Sequence, residues 1–230
     1  MREIVLDTET TGFEPSEGHR IVEIGAVELM NHMPTGRTYH QYINPERAMP
    51  PDAFQVHGLG DDFLRDKPVF RAVGAAFLAF IDSAPLVIHN AAFDIKFLNA
   101  ELGWAKLPQL APGRAIDTLT MARQKFPGSP ASLDALCRRF GIDNSAREKH
   151  GALLDSEILA EVYLELIGGR QPDFGLTATV QRTETGTVAA DWRPRPRPAP
   201  LPSRLTPEEA AAHDAFVQAM GDGSVWRKRG

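Results

Sequence analysis

Three apolar residues, Ile4-Val5-Leu6, run directly into Asp7-Thr8-Glu9 and then into Thr10-Thr11-Gly12. Alternate side chains of a strand share a face, so Asp7 and Glu9 point the same way at the end of a segment whose start must be buried. Two carboxylates held side by side repel each other and lose hydration together, which is unfavourable unless a cation lies between them. Hard divalent ions such as magnesium take carboxylate oxygen. The pair alone is a weak signal, because strand ends often carry solvated acids. Its weight depends on what the rest of the chain supplies.

The pattern along the chain predicts a mixed α/β fold. Ile4–Asp7, Ile21–Leu29 and Thr38–Ile43 read as strands joined by short connections, which suggests an antiparallel meander. Helical periodicity follows over Pro68–Asp82, a short buried strand over Leu86–Ile88, and a helix over Ala91–Leu102 ending at Gly103. Ala115–Asp117 reads as a strand, Ser132–Phe140 as a helix stopped by Gly141, and Gly151–Ile167 as a helix stopped by Gly168-Gly169. Strands first and βα units afterwards give a mixed sheet flanked by helices.

Two further acids lie on faces where solvated acids do not belong. Asp155 precedes Ile158, Leu159 and Val162 by three, four and seven residues, so it points with the apolar stripe of its helix rather than with Glu157, Glu161 and Glu165. It reads as a mid-helix residue, and a carboxylate on a buried face needs a partner, for which a metal is efficient. Asp94 stands in the same relation to Phe97 and Leu98. A plainer account of Asp94 is an acid in the first helical turn, with Asn90 as the cap. His150, five residues before Asp155, would alone be an ordinary surface or capping histidine. Beside a metal held by the helix, its neutral imidazole could take a proton from water.

Composition narrows the setting. The 230 residues carry 43% hydrophobic and 24% charged side chains, enough for one sizeable core and an appendage. No apolar run is long enough for a membrane span, and the amino terminus meets acids at once, which is unlike a secretory signal. The single cysteine, Cys137, excludes an internal disulfide and a cysteine-rich zinc site, and reads as a small core residue. These features fit the cytoplasm. Residues 1–168 hold 16 Lys+Arg against 23 Asp+Glu, while residues 169–230 hold 9 against 7. So acidic a domain is a poor independent binder of nucleic acid unless cations offset its charge or a partner delivers the substrate.

The order Asp7-x-Glu9, Asp94, Asp155, with His150 five residues before the last acid, resembles the DEDDh exonucleases. The flanking text is more specific. Val5–Gly12, His89–Asp94, Ser132–Cys137 and His150–Tyr163 resemble the proofreading epsilon subunits of bacterial DNA polymerase III, densely over residues 1–168. The resemblance implies a ribonuclease H-like sheet flanked by helices, with a flexible C-terminal tail. It implies a 3′→5′ exonuclease that removes a mispaired terminal nucleotide as its 5′-monophosphate. Asp7, Glu9, Asp94 and Asp155 would hold two magnesium or manganese ions about 3.5–4 Å apart, one serving the attacking water and the other the leaving 3′ oxygen. His150 would be the general base. The 3′-end nucleotide would meet Asp7, Glu9 and Asp155, and also Asp52 and His57 in Pro51–Gly58. Relatives often carry Glu in place of Asp52, and without the resemblance His57 would read as a turn histidine, with Phe54 and Val56 plugging the core.

Past the domain the composition changes. Residues 169–204 include Trp192–Pro200, whose alternating prolines forbid a helix and favour an extended spacer. Gln171–Leu176 resembles a sliding-clamp motif, in which Phe174 and Leu176 would fill a groove and Gln171 would make polar contacts. Residues 205–230 open with Thr206-Pro207-Glu208-Glu209, a capping box that starts a helix running to about Met220. By resemblance this last segment, with Trp226, would bind the polymerase alpha subunit, and a small accessory, theta-like subunit is a further partner. Tethering would raise the exonuclease's effective concentration at the primer end. Two other readings stay open from sequence: a stand-alone nuclease trimming RNA or short oligonucleotides, as ribonuclease T and oligoribonuclease do, and a scaffold without activity.

Overall fold

A computed structural model of the protein describes residues 1–111, 113–145, 147, 149–169 and 205–221. The chain divides into two units, each taken by itself below.

The larger unit is built on a five-stranded sheet of order β3-β2-β1-β4-β5. Its strands are β1 (Arg2–Thr10), β2 (Ile21–Met30), β3 (Met33–Tyr42), β4 (Leu86–Ile88) and β5 (Ala115–Asp117). The first three form the antiparallel meander, while β4 and β5 join parallel to β1. The helices are α1 (Pro51–His57), α2 (Asp61–Leu64), α3 (Phe70–Ile81), α4 (Ala91–Trp104), α5 (Thr118–Lys125), α6 (Leu133–Phe140) and α7 (Ala152–Leu166). The sheet matches the sequence expectation, with β1 and β3 longer than their apolar runs. The continuous pairing of β1 to β2 from Arg2 to Thr10 supplies backbone bonds that apolar periodicity does not register.

Alternation along β1 sorts two cores. Ile4 and Leu6 face one side with Phe70, Phe77, Phe97 and Leu98, where α3 and α4 pack. Val5 faces the other with Val87, Leu136, Cys137, Ile158 and Leu159, where α5, α6 and α7 pack. Phe70, Phe77 and Phe97 are fully enclosed, each stabilising the fold by roughly 1.5–3 kcal/mol. Arg20 closes the α4 side. Its guanidinium donates to both carboxylate oxygens of buried Glu101 at 2.8 Å, and Ile21 N donates to the same carboxylate at 3.2 Å.

Three local readings differ from the sequence expectation. The fourth helix passes through Gly103 to Trp104, because its last turn is closed by backbone bonds from Ala105. Asn90 does not cap it with its side chain. It sits in the left-handed region at φ 67°, and its own N–H donates to Asp117 Oδ1 at 3.1 Å. Asp155 lies in the first turn of α7, not mid-helix, with Gly151 at the N-cap as the helix start expected from sequence already implied.

In the second unit, α8 (Pro207–Ala219) starts on the expected capping box. Thr206 Oγ1 accepts from Glu209 N at 3.2 Å, and Glu209 Oε2 accepts from Thr206 N at 2.9 Å. The clamp-like segment 171–176, the proline-rich segment and Trp226 lie outside the described residues. No described helix is long and apolar enough to cross a membrane.

Candidate active site

Alternation continues past the cores into the site. Asp7 and Glu9 stay on the α7 side of β1, while Thr8 falls on the α4 side. There Thr8 Oγ1 donates to Asp94 Oδ1 at 2.7 Å, which seats the first turn of α4 against the end of β1. On the other side the Ser156 hydroxyl shares its one proton between Ala152 O of its own helix at 2.8 Å and Gly25 O at 3.0 Å, which brings the start of α7 onto β2. Gly25 pairs with Asp7 in the sheet, and any side chain there would strike the backbone of Ala152 and Leu153. Residues from three distant segments therefore converge beyond the carboxyl ends of the parallel strands, where open α/β sheets place their ligand sites.

Asp7, Glu9, Asp94, His150 and Asp155 line one cavity of about 590 Å³. Ligand atoms of Glu9, His150 and Asp155 lie within 4.8 Å of one another. Asp94 and Asp155 are each only 3% exposed. Burial, reinforced by Asp94, Glu9 and Asp155, holds the Asp7 carboxyl well above its ordinary range. Burial with Asp155, Glu23 and Asp94 pushes Glu9 up to about 8. Burial carries Asp94 to about 7 against the Thr8 hydrogen bond. Asp155 goes the other way: burial raises it, but neighbouring His150 and Arg147 outweigh that and leave it low. A set of oxygen donors that resists ionising together fits hard divalent ions, which would restore the charged forms.

The structure adds Arg147, which sequence reading passed over. Its Nε and Nη2 donate to Asp155 Oδ1 at 2.5 Å and Oδ2 at 2.7 Å. Nη1 donates to Asp134 Oδ1 at 2.8 Å, and Nη2 also reaches His150 Nδ1 at 2.7 Å. A cation eight residues before a buried acid and three before a histidine was the available signal, obscured by the charged text around it.

His150 is half exposed and stands on the segment leading into α7. Its N–H donates to Val56 O at 3.3 Å, and the Lys149 ammonium lies 5.2 Å from the centre of the Phe54 ring. Gly58, at φ 75°, ends α1 and leaves room for the Lys149 stem. Phe54 and Val56 are exposed and plug no core; Phe54 instead forms the seat for the His150 segment.

A second cavity of about 390 Å³ adjoins the first, sharing Thr8, Glu9, Phe13 and Phe93 with it. Asp52 and His57 line it, Asp52 at the exposed rim and His57 buried. His57 Nδ1 accepts from Leu59 N at 3.0 Å, so the remaining ring proton belongs on Nε2, which is buried with no well-formed hydrogen bond and only the Thr10 backbone nearby among the described residues. Burial holds the His57 ring below its ordinary value and hence neutral. Phe13, 81% exposed, stands between the two cavities. It is the only large apolar residue between Leu6 and Ile21, a signal that sequence reading also passed over.

The family model described as Exonuclease matches residues 4–163. The DNA polymerase III subunit epsilon of Rickettsia felis is 50% identical over 224 residues, 96% of this chain and 97% of that protein. The Escherichia coli K12 protein of the same name is 46% identical over 237 residues, covering 98% and 97%. Among solved structures, exonuclease X in complex with 5′ overhanging duplex DNA superposes with a TM-score of 0.55 at 25% identity, over 71% of this chain and 90% of that one. The nuclease domain of 3′hExo, a DEDDh family member bound to rAMP, gives 0.62 at 21% identity over 72% and 91%, a likeness of fold. The chain belongs to the exonuclease family and, within it, to the DNA polymerase III epsilon subunits.

Proposed function

We infer that the protein is the metal-dependent 3′→5′ exonuclease that proofreads for a replicative polymerase. The observation that carries the reading is the convergence of Asp7, Glu9, Asp94, Asp155 and His150 on one cavity, in a chain of epsilon descent along nearly its whole length. Asp7, Glu9, Asp94 and Asp155 would hold two magnesium or manganese ions. When bound, such ions supply the Lewis acidity that ionises water and offsets charge on the phosphate and the departing 3′ oxygen.

The chain's own residues do the rest. His150, on a segment outside the helices, takes the proton from the attacking water through a ring nitrogen. Asp7, Glu9 and Asp155 face the scissile phosphate. The terminal nucleoside enters the second cavity, where the buried His57 Nε2–H, loosely held by the Thr10 backbone, can turn to an incoming acceptor and Asp52 flanks the rim. Phe13 offers a ring for stacking to a base at the junction of the cavities. An unpaired 3′ end reaches this pocket at lower cost than a paired one, which is the basis of preference for mismatches.

We assign residues 1–168 to the nuclease, 169–204 to a linker with the clamp-binding candidate Gln171, Phe174 and Leu176, and 205–230 to polymerase binding. The capped helix α8, with Phe216 65% exposed, supports the last assignment. A role beside a bacterial replicative polymerase supports a cytoplasmic setting, at the replisome.

The test is a 3′-mismatched primer incubated with magnesium and the full chain. Preferential loss of the unpaired nucleotide, abolished in Asp7→Ala with the melting curve intact, is expected. Faster trimming of RNA than of mismatched DNA, or normal turnover by Asp7→Ala, would overturn it. Deleting residues 177–230 should spare hydrolysis and abolish co-purification with the polymerase.

A further inference from the structure

Arg147 makes four contacts, and together they have a consequence for how the site is loaded. The guanidinium covers both oxygens of Asp155, at 2.5 and 2.7 Å, while its third nitrogen is anchored on Asp134 at 2.8 Å. The Arg147 side chain is 9% exposed, so water cannot readily take its place. His150 Nδ1 lies 2.7 Å from Arg147 Nη2 and 3.4 Å from Asp155 Oδ2; a guanidinium has donors only, so the shorter contact makes Nδ1 an acceptor, in competition with donation to Asp155. The tautomer that the Arg147 contact selects carries its proton on Nε2, with its one basic lone pair already engaged. In this arrangement His150 has no lone pair left for a proton from water.

We propose that Arg147 is an internal counter-ion that divalent ions must displace from Asp155, so that loading the site and freeing His150 are one event. The proposal rests on the metal reading above. A divalent ion that takes Asp155 as a ligand competes with the guanidinium for the same oxygens and is repelled by its charge. As Arg147 leaves Asp155 it also leaves Nδ1, and Asp134 at the cavity wall keeps the displaced cation on a short tether. Arg147 is thus a positioning residue, acting through Asp155 and His150. Without it the buried carboxylate would stand uncompensated beside Glu9.

The experiment uses the full chain and Mn2+ alone as the probe. Arg147→Gln should bind Mn2+ on the order of tenfold more tightly by calorimetry, since the competing fork is gone. It should melt several degrees below the unaltered protein in chelator, and the gap should close in saturating Mn2+. Arg147→Lys, which keeps the charge but cannot fork, should fall between in affinity. Unchanged or weaker Mn2+ binding by Arg147→Gln would overturn the proposal, as would an equal loss of melting temperature with and without Mn2+, the mark of a mere structural brace. Should Arg147→Gln fail to fold, the unaltered protein decides: its Arg147 Nε–H resonance should shift and lose protection from exchange as Mg2+ is added, and a resonance that stays put refutes the displacement. An unaltered protein that binds no Mn2+ overturns the metal reading itself.

Discussion

Gly25→Ala should damage catalysis from a position that has no side chain in the site. A Cβ at Gly25 would stand 2.1 Å from the carbonyl carbon of Ala152 and from the nitrogen of Leu153, and 2.3 Å from the Ala152 oxygen. Carbon contacts settle at about 3.5–4.0 Å, so the two backbones must part by roughly 1.4 Å. The strand cannot retreat, because Gly25 is paired on both sides, with Asp7 of β1 and His40 of β3. The helix must therefore lift at the turn that carries Asp155, and the Ser156 bond to Gly25 O lengthens with it. Overpacking costs about 1–3 kcal/mol, and the Ser156 hydroxyl keeps its bond to Ala152 O as the contact to Gly25 opens. An error of about 1 Å in a reacting constellation costs on the order of 10²-fold in rate. Single-turnover release of a mispaired 3′ nucleotide should fall by about that factor, with a melting temperature lower by roughly 5–10 °C. Gly151→Ala, whose Cβ meets open space, is the control for stability. Turnover within twofold of normal by Gly25→Ala, with an unchanged melt, would refute the argument that this contact sets the position of Asp155.

Three other expectations are independent of that contact. In chelator the protein should become less stable as pH rises: Glu9 and Asp94 titrate near 8 and 7 when folded against ordinary values of 4.5 and 3.8, so the folded state binds the extra protons. The stability they confer is complete below about pH 4 and lost by about pH 8, and a fall in melting temperature of at least ~3 °C across that window is expected. Saturating Mg2+ should suppress the trend, because ions bind the deprotonated carboxylates; a pH-independent melt in chelator would contradict the pKa assignment. His150→Ala should cut the rate by roughly 10²–10⁴ while sparing Mn2+ affinity and flattening the ascending limb of the pH–rate profile, and an unaltered profile would remove His150 as base. His57→Phe, which fills the space but deletes the Nε2 donor, should raise KM about tenfold with little change in kcat, as steady-state kinetics on a short single strand will show.

Much of this was legible because its causes are local. The run Ile4–Leu6 specifies a buried strand and fixes the common face of Asp7 and Glu9. The stripe Ile158–Leu159–Val162 fixes the inward direction of Asp155, even though that residue stands in the first turn rather than mid-helix. Asp94 was legible from its spacing to Phe97 and Leu98. What escaped depends on distant partners. Gly25 reads as a weak point in an apolar strand until α7 is laid across it. Arg147 reads as one charge among several until Asp155, Asp134 and His150 surround it. The first helix is short and carries no apolar stripe that periodicity would register, although its proline at the first helical position is a favourable start. Asn90 was misread because asparagine is a good cap and also one of the few residues tolerated at positive φ, and here the second property decides.

Anomalous diffraction from crystals grown with Mn2+ and a nucleoside 5′-monophosphate would locate the cations that complete the cage of carboxylates. Two manganese peaks about 3.5–4 Å apart, both among Asp7, Glu9, Asp94 and Asp155 with the monophosphate between them and His57, are predicted. Manganese absent from that cavity, or bound there without Asp7 and Asp155, would contradict the account.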